Sequence, residues 1–147
     1  MYHKGDIFSS FDSWWMRHEK KYEPYIINNL DFQNFPFHKG FNKGDILLIT
    51  KAVPEKLKVG DIIIFEAGQN NPIIHRIINI SKEDNKYFFS TIGDNNNGQL
   101  NVEQKINSEQ LIGKASIKIV PFIGWFKLIF YEGTRSPEER GLCHENE

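Results

Sequence analysis

Short apolar runs separated by turn-forming residues make up most of the chain. Two such runs, at 62–65 and 73–80, flank a polar Gly, Gln, Asn and Pro segment, which is typical of neighbouring buried strands joined by a loop. Further strand signals lie at 43–49, 87–92 and 113–120. Because these signals are closely spaced, they predict a mainly β fold, a small antiparallel barrel or sandwich rather than a parallel α/β sheet.

The region before the first strand has a different pattern. Serine or aspartate caps and helix-forming residues predict a helix at about 13–22, which Pro24 limits. The adjacent Trp14 and Trp15 are expected to be buried or interfacial, and plain packing aromatics are the favoured interpretation. The stretch 30–41, rich in phenylalanine, predicts a packed loop with about one helical turn.

Composition narrows the possible classes of function. With 147 residues, the chain fits one domain, predicted at 1–131 and followed by a polar tail at 132–147 that is expected to fray. The 18 basic and 19 acidic residues balance, so no nucleic-acid surface is indicated. The single cysteine, Cys143, excludes an intrachain disulfide and makes a structural metal site improbable. The longest uncharged apolar run, 119–126, is far shorter than the roughly 20 residues of a membrane-spanning helix.

One histidine, His75, lies inside an otherwise apolar strand and shares a face with Ile77 by alternation. Asp94 follows one hairpin later, at the start of a Gly-Asn loop. An aspartate that accepts a hydrogen bond from one imidazole nitrogen would leave the other nitrogen as a base, so we predict that the two side chains lie close enough to bond directly or through one water. Arg76 is expected to point away from the histidine, toward a carboxylate. The alternative is a core histidine bonded to a backbone carbonyl and an unrelated turn aspartate.

The motif succession KGDILLI, VGDIIIFE, PIIHRIINI, FSTIGDNN, LIGKA and VPFIGWFKLIF resembles the core of the archaeal type of signal peptidase I, the branch that includes the endoplasmic-reticulum enzyme. The resemblance covers about 41–130 in motif order. It implies a membrane-associated serine endopeptidase that removes signal peptides from exported preproteins on the extracytoplasmic side, without cofactor or metal. It also implies His75 as the catalytic base and Asp94 as a second catalytic residue.

Two departures from the family pattern stand out. Many members have a second aspartate about six residues after the first, where this chain has Leu100. No Ser-Met pair precedes the strand at 43–49; instead, Met1-Tyr2-His3 resembles the end of a Ser-Met-x-His motif, with an aromatic-rich insertion at about 8–41. The expected serine then stands immediately before Met1, and the chain as written is predicted to be inactive. Internal serines, Ser9, Ser10, Ser13 and Ser90, are the alternatives.

A competing hypothesis from another class is a catalytically inactive β domain that binds peptides or docks on a membrane surface. The departures favour it, whereas the retained His75 and Asp94 favour an enzyme. The stretch 121–131 combines Trp125 and Phe126 with Lys127, a pattern that predicts contact with a bilayer interface, with core packing as the alternative.

Overall fold

The computed structural model describes residues 11–41, 45–68 and 71–120. Within these ranges the chain forms two short α-helices and six β-strands. The helices are α1 (Phe11–His18) and α2 (Asn29–Asn34); the strands are β1 (Ile46–Thr50), β2 (Ile62–Phe65), β3 (Ile73–Glu83), β4 (Lys86–Ile92), β5 (Ile106–Asn107) and β6 (Leu111–Val120). Short 3-10 helices at Glu19–Lys21, Glu23–Tyr25, Pro54–Lys56, Asn101–Glu103 and Ser108–Gln110 join them.

The six strands form one sheet in the order β1-β6-β2-β3-β4-β5, and every neighbouring pair is antiparallel. The prediction of a mainly β, antiparallel fold is therefore confirmed. The long β3–β4 hairpin closes through Asp84 and Asn85, which both have positive φ angles, 46° and 62°. Aspartate and asparagine tolerate this backbone conformation better than other non-glycine residues, which explains the polar turn between two strongly apolar runs.

The helical region packs its aromatic side chains against one face of this sheet. The predicted helix is present as α1 and the following 3-10 turn, although it begins two residues earlier than expected. Trp14 and Trp15 are buried, as the sequence predicted. Phe32 of α2 lies at the centre of this cluster, with its ring 5.1 Å from that of Trp14 and 5.3 Å from that of Trp15. Ile78 and Ile92 complete the cluster from the sheet.

The middle of β3, residues 76–78, is buried on both faces, in line with its continuous apolar pattern. Ile78 packs against the helical region, whereas Ile77 belongs to a second cluster on the opposite face. The members of this second cluster are Leu57, Ile63, Phe65, Ile77, Phe89 and Ile106. Because side chains alternate along a strand, the consecutive residues His75 and Arg76 also project to opposite faces. This division determines which groups each of them can reach.

Several predictions fall on parts of the chain outside the described residues. These are Ser9, Ser10, the membrane-contacting stretch 121–131 and the tail 132–147. β5 was not predicted, since a strand of two residues carries no readable periodicity. No helix in the described part of the chain is long and apolar enough to cross a bilayer.

We expect Gly60→Ala to destabilise the fold by about 1–3 kcal/mol more than Gly68→Ala, because overpacking is added to backbone strain. Gly60 has a φ of +95°, and an added Cβ would overlap the Phe35 ring. Gly68 has a φ of +69° but nothing within 4 Å, so it controls for backbone strain alone. Urea unfolding of both variants measures the difference. Equal losses would show that Phe35 moves aside freely.

Candidate active site

His75 lies on β3 opposite Ile63 of β2, and its side chain is 15% exposed. Its Nδ1 atom is hydrogen-bonded to Oε1 of Glu103, a fully buried carboxylate at the end of the 3-10 helix Asn101–Glu103. An ionised carboxylate can only accept a hydrogen bond, so Nδ1 carries the hydrogen, and in the neutral form of the ring Nε2 presents its lone pair. This is the tautomer that a general base requires.

The backbone and side chains around Glu103 hold its carboxylate in place. Oε2 accepts a hydrogen bond of 2.8 Å from the Leu100 amide, and Oε1 accepts a second bond of 3.2 Å from the Thr91 hydroxyl. Gln99 donates to the carbonyl oxygens of Thr91 at 2.9 Å and Glu103 at 3.1 Å, which attaches this segment to β4. These bonds therefore fix the orientation of the carboxylate.

The other imidazole nitrogen, Nε2, faces the loop that follows β4. A Cβ atom added to Gly93 would lie 2.7 Å from this nitrogen and 2.8 Å from Nδ2 of Asn96. The loop backbone can approach the ring this closely only because residue 93 has no side chain. No residue in the described ranges hydrogen-bonds to Nε2, so within them the imidazole has one partner, Glu103.

Asp94 does not bond to His75, and the predicted direct pairing of these two side chains is wrong. Asp94 instead forms a fully buried ion pair with Arg76: Nε donates to Oδ1 at 3.0 Å and Nη2 donates to Oδ2 at 2.8 Å. The register explains this choice. Arg76 lies opposite Ile92, so Asp94, two residues further along, continues on the Arg76 face of the sheet. His75 lies on the other face.

The remaining donors of Arg76 are also satisfied. Nη1 donates to the carbonyl oxygens of Pro36 at 2.7 Å and Gly60 at 2.8 Å, and Nη2 donates to that of Phe37 at 3.0 Å. The expectation that Arg76 points toward a carboxylate is confirmed, and that carboxylate is Asp94 itself.

Tyr22 supplies a further bond to the same carboxylate. Its hydroxyl donates to Oδ1 of Asp94 at 3.0 Å from within the aromatic cluster. Burial, reinforced by the neighbouring Asp94 charge, raises the pKa of Tyr22, so this hydroxyl remains protonated and keeps donating.

Two of the candidate internal serines lie within the described residues. Ser13 belongs to α1. Ser90 lies on β4 opposite Asn79, four residues along β3 from His75, and its hydroxyl oxygen accepts a 2.6 Å hydrogen bond from Gln99. The Ser90 hydroxyl is therefore bonded to Gln99 and not to the imidazole.

The sequence reasoning missed Glu103. It looked for a second carboxylate near residue 100, whereas Glu103 stands three residues later, at the end of the Asn101–Glu103 turn. The interval between Leu100 and Glu103 is one 3-10 turn, which returns the glutamate to the Leu100 amide. The three-residue spacing from Leu100 to Glu103 was therefore the sequence signal that could have identified this glutamate.

Comparison with known proteins shows similarity to catalytic subunits of the signal peptidase complex. The human subunit named SEC11C is 31% identical over 100 residues, which are 60% of this chain and 50% of that protein. The SEC11 subunit of Plasmodium falciparum is 33% identical over 92 residues, or 58% of this chain and 48% of that protein. The SEC11 subunit of Candida tropicalis is 32% identical over 99 residues, or 63% of this chain and 58% of that protein.

The chain spans about half the length of the curated relatives it matches. No family model and no solved structure matches it. The similarity to these catalytic subunits supports a signal peptidase I-like family and suggests a peptidase. The catalytic roles of His75 and Asp94 remain predictions.

Asp94→Asn is expected to lower the free energy of unfolding by about 3–5 kcal/mol, because it leaves the Arg76 cation buried and unpaired. The matched control is Asp84→Asn, an identical change at an exposed turn position, which should stay within about 0.5 kcal/mol of the parent. Denaturant titration compares the two. If Asp94→Asn proves as stable as Asp84→Asn, the ion pair is not what holds this loop.

Glu103→Gln should weaken the hydrogen bond at Nδ1 of His75, because it removes the negative charge of the acceptor while keeping a side chain of nearly the same size. The amide can still contact Nδ1 but no longer offers a charged acceptor, so the strongly deshielded Nδ1 proton should disappear from the proton NMR spectrum. Glu109→Gln, at an exposed site outside this network, is the control and should leave that resonance in place. Retention of the resonance in Glu103→Gln would contradict the assigned pair.

Proposed function

We propose that this chain is the catalytic part of a signal peptidase, a serine endopeptidase that removes signal peptides from exported preproteins at a membrane surface. The observation that carries the proposal is the His75–Glu103 pair, which presents Nε2 toward a glycine loop at the end of β4. The similarity to signal peptidase catalytic subunits supports the substrate class.

In this proposal each polar residue has a distinct task. His75 Nε2 takes the proton from the serine hydroxyl as that oxygen attacks the scissile carbonyl, and it later returns the proton to the leaving amine. Glu103 fixes the ring orientation and stabilises the imidazolium that forms. Asp94, the second predicted catalytic residue, acts through its ion pair with Arg76, which fixes the loop beside His75.

The assignment of Glu103 also accounts for the family departure at Leu100. Glutamate has one more methylene group than aspartate, and the Asn101–Glu103 turn brings it back against β4. A carboxylate therefore reaches the imidazole although position 100 carries an apolar residue.

The finer parts of the proposal follow from the family resemblance. They place the serine immediately ahead of Met1, the active site on the extracytoplasmic side, and the aromatic stretch 121–131 at the bilayer interface. The partners are then preprotein signal peptides and the membrane surface, with no nucleic acid involved.

The test compares the chain as written with a version that carries Gly-Ser ahead of Met1, using cleavage of a fluorogenic signal-peptide substrate in detergent. We expect the extended chain to cleave and the unextended chain to be inactive. His75→Ala in the extended chain should lower kcat/KM by about 10³-fold or more, because the nucleophile then lacks its base.

The other outcomes of this assay are also informative. Cleavage by the unextended chain would show that the nucleophile is internal and that the placement ahead of Met1 is wrong. If both chains fold and bind the peptide but neither cleaves it, including in liposomes, the inactive peptide-binding domain is the better description.

A further inference from the structure

Lys21, at the end of the 3-10 helix Glu19–Lys21, reaches across to the loop after β4. Its Nζ atom donates to three backbone carbonyl oxygens of that loop: Gly93 at 3.1 Å, Asp94 at 2.5 Å and Asn96 at 2.8 Å. A lysine ammonium has three hydrogens to donate, and all three find an acceptor in one short segment. Lys21 is separated from this loop by more than 70 positions in sequence.

The environment of Lys21 fixes its position. The ammonium lies 5.2 Å from the centre of the Tyr22 ring and 5.9 Å from that of Trp14, so aromatic surfaces cover it beside the carbonyl oxygens. Burial lowers the pKa of Lys21 to about 8, and the Asp94 charge opposes this shift. The side chain therefore remains largely protonated at neutral pH and keeps its three donors.

Two of the three residues that Lys21 holds also border the imidazole. A Cβ atom added to Gly93 would lie 2.7 Å from His75 Nε2 and 2.8 Å from the Asn96 side chain, so both residues border the imidazole. The backbone N–H of Asn96 also donates to the Gly93 carbonyl oxygen at 3.0 Å, which forms a tight turn between these two residues. Lys21 thus binds the outer side of a turn whose inner side contacts His75.

The residues that follow Lys21 reinforce this attachment. Tyr22 bonds to the Asp94 carboxylate at 3.0 Å, and the Tyr25 hydroxyl donates to Oε1 of Gln99 at 3.3 Å. Since Gln99 in turn holds the Glu103 carbonyl oxygen, contacts from 21–25 support both sides of the histidine site.

We propose that Lys21 is a positioning residue for His75: it sets the distance between the loop of Gly93 and Asn96 and the Nε2 atom, and it makes the helical insertion part of the active site. The structural half of this inference concerns the described residues alone. Its catalytic half rests on the proposed function.

The structural half is tested by NMR on the chain as written, with Lys21→Met, Lys21→Arg and the exposed neighbour Lys20→Met as the matched control. In Lys21→Met we expect shifted amide resonances for Gly93 and Asn96, a shifted Nε2 resonance of His75, and amide hydrogen exchange of Asn96 at least about tenfold faster. Lys21→Arg keeps a cation and should restore part of this protection. Lys20→Met should match the parent.

The catalytic half uses the extended chain described above. Displacing a reacting group by about 1 Å can cost up to about 10²-fold in rate, so Lys21→Met should lower kcat by about 10- to 100-fold while KM changes less than about twofold. Lys21→Arg should recover part of the lost kcat, and Lys20→Met should have the parental value.

The outcomes separate this inference from the proposed function. Unchanged Gly93, Asn96 and His75 resonances in folded Lys21→Met overturn the positioning role, whether or not the extended chain is active. Changed resonances with an inactive extended chain support positioning and count against the peptidase assignment. If Lys21→Met does not fold, Lys21→Gln decides, because it removes the cation but keeps a polar side chain: parental Gly93, Asn96 and His75 resonances in that variant overturn the positioning role, and shifted resonances support it.

Discussion

The buried ion pair between Arg76 and Asp94 is the interaction on which the rest of this structure depends. Two charges removed from water are tolerable only when their remaining hydrogen-bonding capacity is satisfied. Here each N–H of the guanidinium has an acceptor, and those acceptors come from the helical insertion, the turn before β2 and the loop after β4. Three segments distant in sequence are therefore fixed relative to one another by one side chain.

The alternation of β3 divides structural and chemical tasks between two consecutive residues. Arg76 turns toward the insertion, where its guanidinium lies 4.7 Å from the centre of the Phe32 ring. His75 turns to the opposite face and meets Glu103. Because one backbone carries both residues, the packing that secures Arg76 also fixes the direction in which the imidazole points. The aromatic cluster around Phe32 thereby contributes to the orientation of an imidazole on the opposite face of the sheet.

The sequence predicted those features that depend on local pattern. The strands around 62–65, 73–80 and 87–92 and the helix near 13–22 all have periodicity or turn chemistry of their own. The sequence also identified His75 as the unusual residue of its strand. It gave Asp94 the wrong direct partner, because the pairing of the two strands was considered without the face on which each side chain emerges.

The remaining features depend on contacts that no local pattern encodes. Lys21 meets carbonyl oxygens more than 70 positions away, and backbone carbonyls leave no trace in residue identity. Glu103 was overlooked because a family spacing was applied to a loop whose turn brings a different position to the ring. In both cases the tertiary path of the chain decides the contact.

The Glu103 arrangement bears on how such sites diverge. An imidazole requires negative charge at one point beside Nδ1, and it is indifferent to which backbone position delivers that charge. When the carboxylate that accepts from Nδ1 moves by one turn and its side chain is longer, the electrostatics are preserved although the aligned position no longer carries an acidic residue. Homologues that lack the acidic residue at the aligned position are therefore better compared by the groups around the imidazole than by residue identity. A chain without that residue can still have a carboxylate bonded to its histidine.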